Sequence, residues 1–429
     1  MLTRPKEAQA DSGWLPVSRL ALEPDERDIR RRVGLIWGLL FINVLSYQEG
    51  ETIIHIPSIP GKLLTQGCLA LAFILALALN RKLVVRPNTL LVLSTVMAAA
   101  ALMMSIRDEV SIIGTDYRAI RLILFLAVLW LLTPWWGRSD MLLLRCQLRA
   151  LVIVLGTVIL GLVVAPGKAF SFQGRLSDSL WSIPPTQVAH YSATVAGVSA
   201  ILWLSGLLKR NWAIALFFGG VAIIVLTHTR TALIALLVAI LVGSLSLFTG
   251  RRRVRKVFAT VFIVLLLGGA VLVPAVTHWF SRGQSSQEFS QLTGRTVVWG
   301  ELVNAPRPVD NMIFGFGLSN GSFDGLSIDD SWLSVYQDQG LFGDAMIATI
   351  LLSLLLIAAF RPRGPRRAIA LFLIVYCLIA SLTETGLGQA STYLLDLTIA
   401  ASLLIPPAPT LLRPTEVLPP GAQSQGALS

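Results

Sequence analysis

The sequence predicts an all-α, polytopic membrane protein with about 12 transmembrane helices and one long extracytoplasmic loop. Three observations carry that prediction. Of 429 residues, 54% are hydrophobic and only 14% are charged, against about 25% charged in soluble domains. The mean hydropathy is +0.71. Apolar runs close to the roughly 20 residues that a bilayer-spanning helix needs recur along the whole length.

Residues 1–32 carry charges throughout, including Arg30-Arg31-Arg32, and lack an apolar h-region, so they read as a cytoplasmic tail and not as a cleaved signal peptide. The first span opens at Val33 and doubles as the insertion signal. Spans are predicted over 33–47, 61–80, 88–106, 119–136, 141–165, 188–207, 211–227, 230–248, 256–279, 332–360, 367–384 and 389–406. With a cytoplasmic N-terminus, the basic loops "NRKLVVR" (80–86), "GRSD" (137–140), "LKRN" (208–211), "TGRRRVRK" (249–256) and "RPRGPRR" (361–367) share the cytoplasmic side, where Lys and Arg concentrate. The Pro-rich tail 407–429 returns to that side and reads as disordered. The organisation is a cytoplasmic tail (1–32), a membrane domain (33–406) and a second cytoplasmic tail (407–429). The net charge of +11, from 35 basic and 24 acidic residues, belongs mostly to the cytoplasmic loops and implies no nucleic-acid partner. The three cysteines, Cys68, Cys146 and Cys377, all fall in spans and suit neither a disulfide framework nor a zinc site.

The outward loops are 48–60, 107–118, 166–187, a turn near 228–229, 280–331 and 385–388. The longest, 280–331, is of a length that in a compact protein is usually functional. Three outward arginines break the charge rule in informative settings: Arg175 in "FQGRLSD", Arg230 in "THTRTALIALLV" and Arg295 in "TGRTVVWG". The guanidinium is a rigid fork of five donors suited to phosphate oxygens, so a cluster at the outer border fits a lipid pyrophosphate. Each could instead be an interfacial arginine with a snorkelling side chain. Arg230 resists that reading best, because it opens an otherwise uncharged span. For Arg282 and Arg307 the interfacial reading stays ahead.

The long loop ends in "LSIDDSWLSVYQDQGLFG" (326–343), with Asp329 and Asp330 ahead of a helical run. Asp330 is placed to cap that helix. One cap needs one Asp, which leaves Asp329 for catalysis or substrate contact. The pair lacks an Asp-x-Asp signature and a neighbouring His, so neither a metal site nor a cofactor is predicted. Trp332, Tyr336 and Gln339 share one helical face, which could stack a sugar or form an interfacial aromatic belt. Gly340 and Gly343 let the short helix turn into the next span. His228 could contact phosphate beside Arg230 or simply hydrogen-bond at the interface. His55, His190 and His278 show only border or loop placement. Glu384 and Asp396 flank the last outer turn, and either could pair with one of the arginines. "GFGLSNG" (315–321) is no dinucleotide fingerprint and reads as a flexible outer loop. There is no Walker A motif.

The ordered set of a "GR" loop before a Pro-containing span, "TRTALIALLVAIL", "GRTVVWG", "GFGLSNG" and "DDSWLSVYQDQGLFG" resembles the O-antigen ligase and polymerase superfamily of bacterial membrane glycosyltransferases. The resemblance covers the C-terminal part of the chain; the N-terminal spans match only in hydropathy. It implies a GT-C-like, metal-independent enzyme of surface polysaccharide biosynthesis, multi-pass in the bacterial cytoplasmic (inner) membrane. Such enzymes take a glycan from an undecaprenyl-pyrophosphate carrier at the outer face and pass it to a sugar or glycolipid acceptor hydroxyl. Arg175, Arg230 and Arg295 would hold the pyrophosphate. Ligases of this family end the long loop with His-Asn before an aromatic and a Leu. Here Asp329-Asp330-Ser331-Trp332-Leu333 stands in that place, so a carboxylate replaces the histidine. That shifts the expectation from a lipid A core ligase toward a polymerase or a ligase for another glycan.

The chemistry required is displacement at an anomeric carbon. Oriented arginines neutralise the leaving pyrophosphate, and one carboxylate, Asp329, takes the proton of the acceptor hydroxyl. An inverting single displacement follows. The rival is a multi-span transporter or flippase of lipid-linked glycans. Transporters usually show two related halves with midplane sites, whereas here polar residues gather at one border. A scaffold for envelope assembly would not require the outward arginines.

Overall fold

The computed structural model describes residues 24–45, 52–54, 58–107, 115–248, 250–261, 263, 279, 295–318, 322–323 and 326–406. The predicted span 256–279 lies mostly outside these residues, as do the tail 407–429, Arg282, His55 and His278. What is described is almost entirely helical. Helices are α1 (Pro24–Val44), α2 (Ser58–Leu79), α3 (Thr89–Arg107), α4 (Thr115–Leu131), α5 (Leu142–Val164), α6 (Pro166–Ala169), α7 (Pro185–Leu204), α8 (Arg210–Thr227), α9 (Arg230–Leu245), α10 (Arg295–Asn304), α11 (Val309–Phe314), α12 (Ser331–Phe360), α13 (Pro365–Ala380) and α14 (Thr392–Leu404). A hairpin of two-residue strands, Ser322–Phe323 and Leu326–Ser327, precedes α12. Among the described residues, five helices are long and apolar enough to cross a membrane: Pro60–Leu79, Thr89–Arg107, Leu142–Val164, Arg210–Thr227 and Ser331–Phe360.

The bundle is closed by small residues. Gly197 of α7 lies directly under the Phe372 ring of α13, and Gly243 of α9 faces the Ala368 carbonyl of α13, so a side chain at either site would collide. Gly220 of α8 meets the Ser192 carbonyl of α7 in the same way. Such close approach is the main source of helix cohesion where lipid removes the hydrophobic drive between helices. It seats α13 against both α7 and α9.

The bundle has two unlike ends. One, the basic end, gathers the turns around 80–88, 132–141, 205–209, 246–248, 250–251 and 361–364. There α1 begins at Pro24, earlier than the apolar run that opens at Val33. Glu26 and Asp140 hold that first turn through Arg30 and Arg138, with N···O separations of 2.6–3.2 Å. The other, long-loop end carries 165–184, 228–229, 295–318, 326–330 and 381–391.

Beneath the long-loop end, a buried polar chain joins four helices. Trp37 donates to Gln147 Oε1 (2.9 Å), and Gln147 Nε2 donates to Asp396 Oδ1 (3.0 Å). Asp396 Oδ2 receives His190 Nε2 (3.0 Å) and the Thr194 hydroxyl (3.3 Å). This corrects the expected pairing of Asp396 with an arginine. Its partners are a histidine, an amide and a hydroxyl supplied by α7 and α5, which pack directly against α14.

Candidate functional site

Arg175 sits in a tight turn. Gln173 (φ +53°) and Gly174 (φ +69°) are left-handed, and the Arg175 N–H donates to the Phe172 carbonyl at 2.9 Å. The turn is stitched to the end of α8. Leu176 N–H donates to Leu226 O at 3.0 Å, Arg175 Nε to Thr227 O at 2.9 Å, and Arg175 Nη2 to the Thr229 hydroxyl at 3.1 Å. The last carbonyls of a helix lack intrahelical partners and carry its negative dipole end, so a guanidinium is well placed there.

His228 follows in the left-handed conformation (φ +51°), and Arg230 is the first residue of α9. Two arginines distant in sequence thus meet at one turn, Thr227–Thr229. Arg230 adds positive charge to the positive end of the α9 dipole, a combination that draws anions. The His228 ring stacks on Trp279, with centroids 6.1 Å apart and planes at 25°. Arg295 opens α10, and its side chain lies outside the described residues.

The helix cap predicted at Asp330 is formed. Asp330 (φ −153°, ψ 127°) is the N-cap of α12, its carboxylate accepting Leu333 N–H at 2.8 Å. Asp329 is half-buried and accepts the Ser327 hydroxyl at 2.7 Å. The start of α12 is sewn to the end of α13: Ser331 N–H donates to Ser381 O (2.9 Å), the Ser331 hydroxyl to Glu384 O (2.5 Å), and Trp332 Nε1 to the Ser381 hydroxyl (3.1 Å). Because α13 also lies along α9, with Gly243 near the end of α9 against Ala368 near the start of α13, the starts of α9 and α12 sit at the same end of the bundle.

Trp332, Tyr336 and Gln339 do not act as one surface. Trp332 and Gln339 both tie down the 381–391 segment, Gln339 Nε2 reaching Gly388 O at 3.0 Å. Tyr336 lies under Arg307, whose guanidinium carbon is 4.7 Å from the Tyr336 ring centroid and 5.6 Å from that of Phe316. Arg307 Nη2 donates to Leu302 O at 2.8 Å. Arg307 is thereby a brace for the long loop.

"GFGLSNG" begins as an ordered wedge, unlike the flexible loop its composition predicts. α12 breaks at Gly340, whose φ of +64° only glycine adopts without strain. The break frees the carbonyls of Gln337 and Asp338, and these accept Phe316 N–H (3.1 Å) and Gly317 N–H (2.9 Å). Gly315 (φ +76°) lies against the Asp338 carbonyl, and Gly340 lies against that of Ile313, so neither position has room for a Cβ. Two residues at this end were missed by sequence reasoning. Asp338 is the acid in "VYQDQG", 1% exposed, and Arg118 is a basic residue in the first turn of α4. An acid entering an apolar run was the signal available for Asp338.

Asp178, in the same loop as Arg175, is 3% exposed. Burial pushes its carboxyl above the usual range, against the lowering effect of bonds from Leu180 N–H (2.9 Å) and the Thr157 hydroxyl (2.9 Å). Among the described residues no group of three or more His, Cys, Asp or Glu is placed to hold a metal ion.

Residues 213–343 match the family model described as O-Antigen ligase. The matched stretch runs from α8 into α12. It contains Arg230, Arg295, Asp329 and Asp330, and stops short of Arg175 on the N-terminal side. The resemblance to the O-antigen ligase and polymerase superfamily is borne out over this stretch. It supports an O-antigen ligase-like function, a glycosyl transfer in polysaccharide biosynthesis. No curated protein matches the chain.

Proposed function

We propose that this protein transfers a glycan from an undecaprenyl-pyrophosphate carrier to a sugar or glycolipid hydroxyl at the outer face of the bacterial cytoplasmic membrane. The long-loop end is that outer face. Both termini and the basic end are cytoplasmic, and about 12 spans form the membrane domain. The observation that carries the reading is the convergence of Arg175 and Arg230 on one turn, at the end of the bundle where Asp329 also stands, with Arg230 and Asp329 both inside the family match.

In this reaction the acceptor oxygen attacks the anomeric carbon and the bond from that carbon to the pyrophosphate oxygen breaks. Asp329 receives the hydroxyl proton and later returns it to solvent. The carrier leaves as lipid pyrophosphate, whose new charge Arg175, Arg230 and Arg295 stabilise. One displacement inverts the configuration, and no metal is required. His228 belongs to the donor side beside Arg230. Trp332 and Tyr336 shape the site from behind, since their polar and ring faces hold Ser381 and Arg307.

The test begins with the envelope glycans of cells lacking the chain. Single repeat units attached to acceptor indicate a polymerase. Lipid-linked polymer with bare acceptor indicates a ligase, and an unchanged profile overturns both. Asp329→Asn at normal protein level is expected to lower transfer about 10²–10⁴-fold, the range for a lost general base. Full activity removes Asp329 from the chemistry. A flippase, the rival, would leave lipid-linked glycan on the cytoplasmic face in the knockout.

A further inference from the structure

The carboxylate of Asp338 has no place in the chemistry above, and it is among the most deeply buried acids of the long-loop end, 1% exposed. A buried carboxylate is costly unless it is hydrogen-bonded and balanced by charge. Two side chains from distant segments supply that. Gln389 Nε2, in the turn before α14, donates to Asp338 Oδ2 at 3.4 Å. Arg118, in the first turn of α4, attracts the carboxylate electrostatically. Next to Arg118 on α4, Arg121 is anchored to α1, donating to Asn43 O at 2.7 Å and to Asn43 Oδ1 at 3.2 Å. The outward end of α4 is thus held firmly to the bundle.

The backbone of Asp338 makes a second set of connections. It lies two residues before the break at Gly340, and its freed carbonyl accepts the Gly317 N–H at 2.9 Å. Gly317 (φ +86°) in turn lies against Ser105 of α3, with no space for a side chain. Arg107, at the end of α3, bonds Asp310 of α11 at 2.7 Å. One residue therefore holds the long loop through its carbonyl and the turn before α14 through its carboxylate, with Arg118 of α4 placed to attract that carboxylate. It does so on the short helical segment that Asp330 caps and Asp329 precedes.

We infer that Asp338, paired with Arg118, is a positioning residue: it fixes the 314–318 segment and the 331–339 helix in one arrangement, and through that helix sets where Asp329 stands. This rests on the proposed transfer reaction for its catalytic consequence, but not for the latch itself. A misplacement of about 1 Å at a reacting group is sufficient to cost on the order of 100-fold in rate. The effect should fall on kcat, because Asp338 is not in the donor's pyrophosphate site.

The experiment uses the full chain in proteoliposomes. The donor is lipid-linked glycan extracted from cells lacking the chain, and the acceptor is their envelope fraction. In Asp338→Asn, kcat is expected to fall about 100-fold with KM for the donor within about threefold. Amide exchange at Phe316 and Gly317 should be faster, and Asp338→Glu should recover part of kcat. Arg118→Gln is expected to reproduce both changes. If Asp338→Asn fails to fold, the doubly neutral pair Arg118→Gln, Asp338→Asn decides the matter, since it leaves no unbalanced buried charge. Unchanged kcat in folded variants, or lost kcat with unchanged exchange at Phe316 and Gly317, overturns the inference. A wild-type chain that transfers nothing sinks the transferase reading instead, and the exchange measurement still tests the latch.

Discussion

Arg366, Arg30 and Arg138 at one end of the bundle and Arg175 and Arg230 at the other put the same residue type to different uses. At the basic end, arginines are consumed by the fold. Arg366 alone donates to the carbonyls of Leu403, Ser402, Ile405, Gly137 and Arg138, closing the ends of α13 and α14 over the 132–141 turn. Arg30 and Arg138 are neutralised by Glu26 and Asp140. At the long-loop end, Arg175 binds a carbonyl and a hydroxyl, both neutral, and Arg230 sits on the positive end of a helix dipole. Arginines spent on the carboxylates and carbonyls of helix ends build structure, whereas two arginines gathered on one turn are suited to a polyanion. The positive-inside pattern marks which end is which, but only the partners tell a staple from a binding group.

The sharpest way to break this contrast is to remove one arginine from each end. Arg230→Ala should lower transfer about 10²–10³-fold, as expected for a lost donor to developing charge, with an unchanged melting temperature in detergent. Transfer by the reconstituted variant, normalised to folded protein, checks it. A variant that melts early and keeps its specific activity would place Arg230 with the staples. Arg366→Ala should do the reverse. Losing charge-assisted bonds to several carbonyls should cost roughly 2–3 kcal/mol of stability, seen as a lower melting temperature. The folded fraction should transfer at the wild-type rate.

What the sequence made legible was whatever is decided locally. The apolar runs located the helices that line up with the predicted spans, because spanning length and hydropathy are properties of consecutive residues. The Asp330 cap was equally readable, since a cap joins residues three apart. The early start of α1 was not, because the charges that stabilise Glu26 and Arg30 come from Arg138 and Asp140. The same limit hid the meeting of Arg175 with Thr227 and the partner of Asp396, both of which are chosen by tertiary packing. Gly340 could be read as a turn, but not as a break whose freed carbonyls would capture the 314–318 segment. Asp338 was legible only as an acid entering an apolar run, because its spatial neighbours come from the 314–318 segment, α4 and the turn before α14.

The smallest expected effect separates the two ends by acid. Burial would raise the carboxyl of Glu26, but hydrogen bonds from Arg138 and Arg30 outweigh it and hold the group below its ordinary value of 4.5. A carboxylate depressed in the folded state contributes stability that is complete above its unfolded value and is lost as pH falls through the folded one. Glu26 is about a third exposed, so solvent screens much of that contribution. Asp178, at the other end, is raised by burial. Its charged form penalises the fold above the unfolded value, and acid relieves that penalty as pH falls through the folded one. Melting temperature followed from neutral pH down through the carboxylate range should therefore respond in opposite senses to the two substitutions. Glu26→Gln should destabilise at neutral pH and converge on wild type in acid. Asp178→Asn should be closest to wild type in acid and stabilised relative to it at neutral pH. Parallel responses would mean that the two ends do not differ in how they treat charge, and the contrast drawn from the arginines would then rest on Arg230 alone.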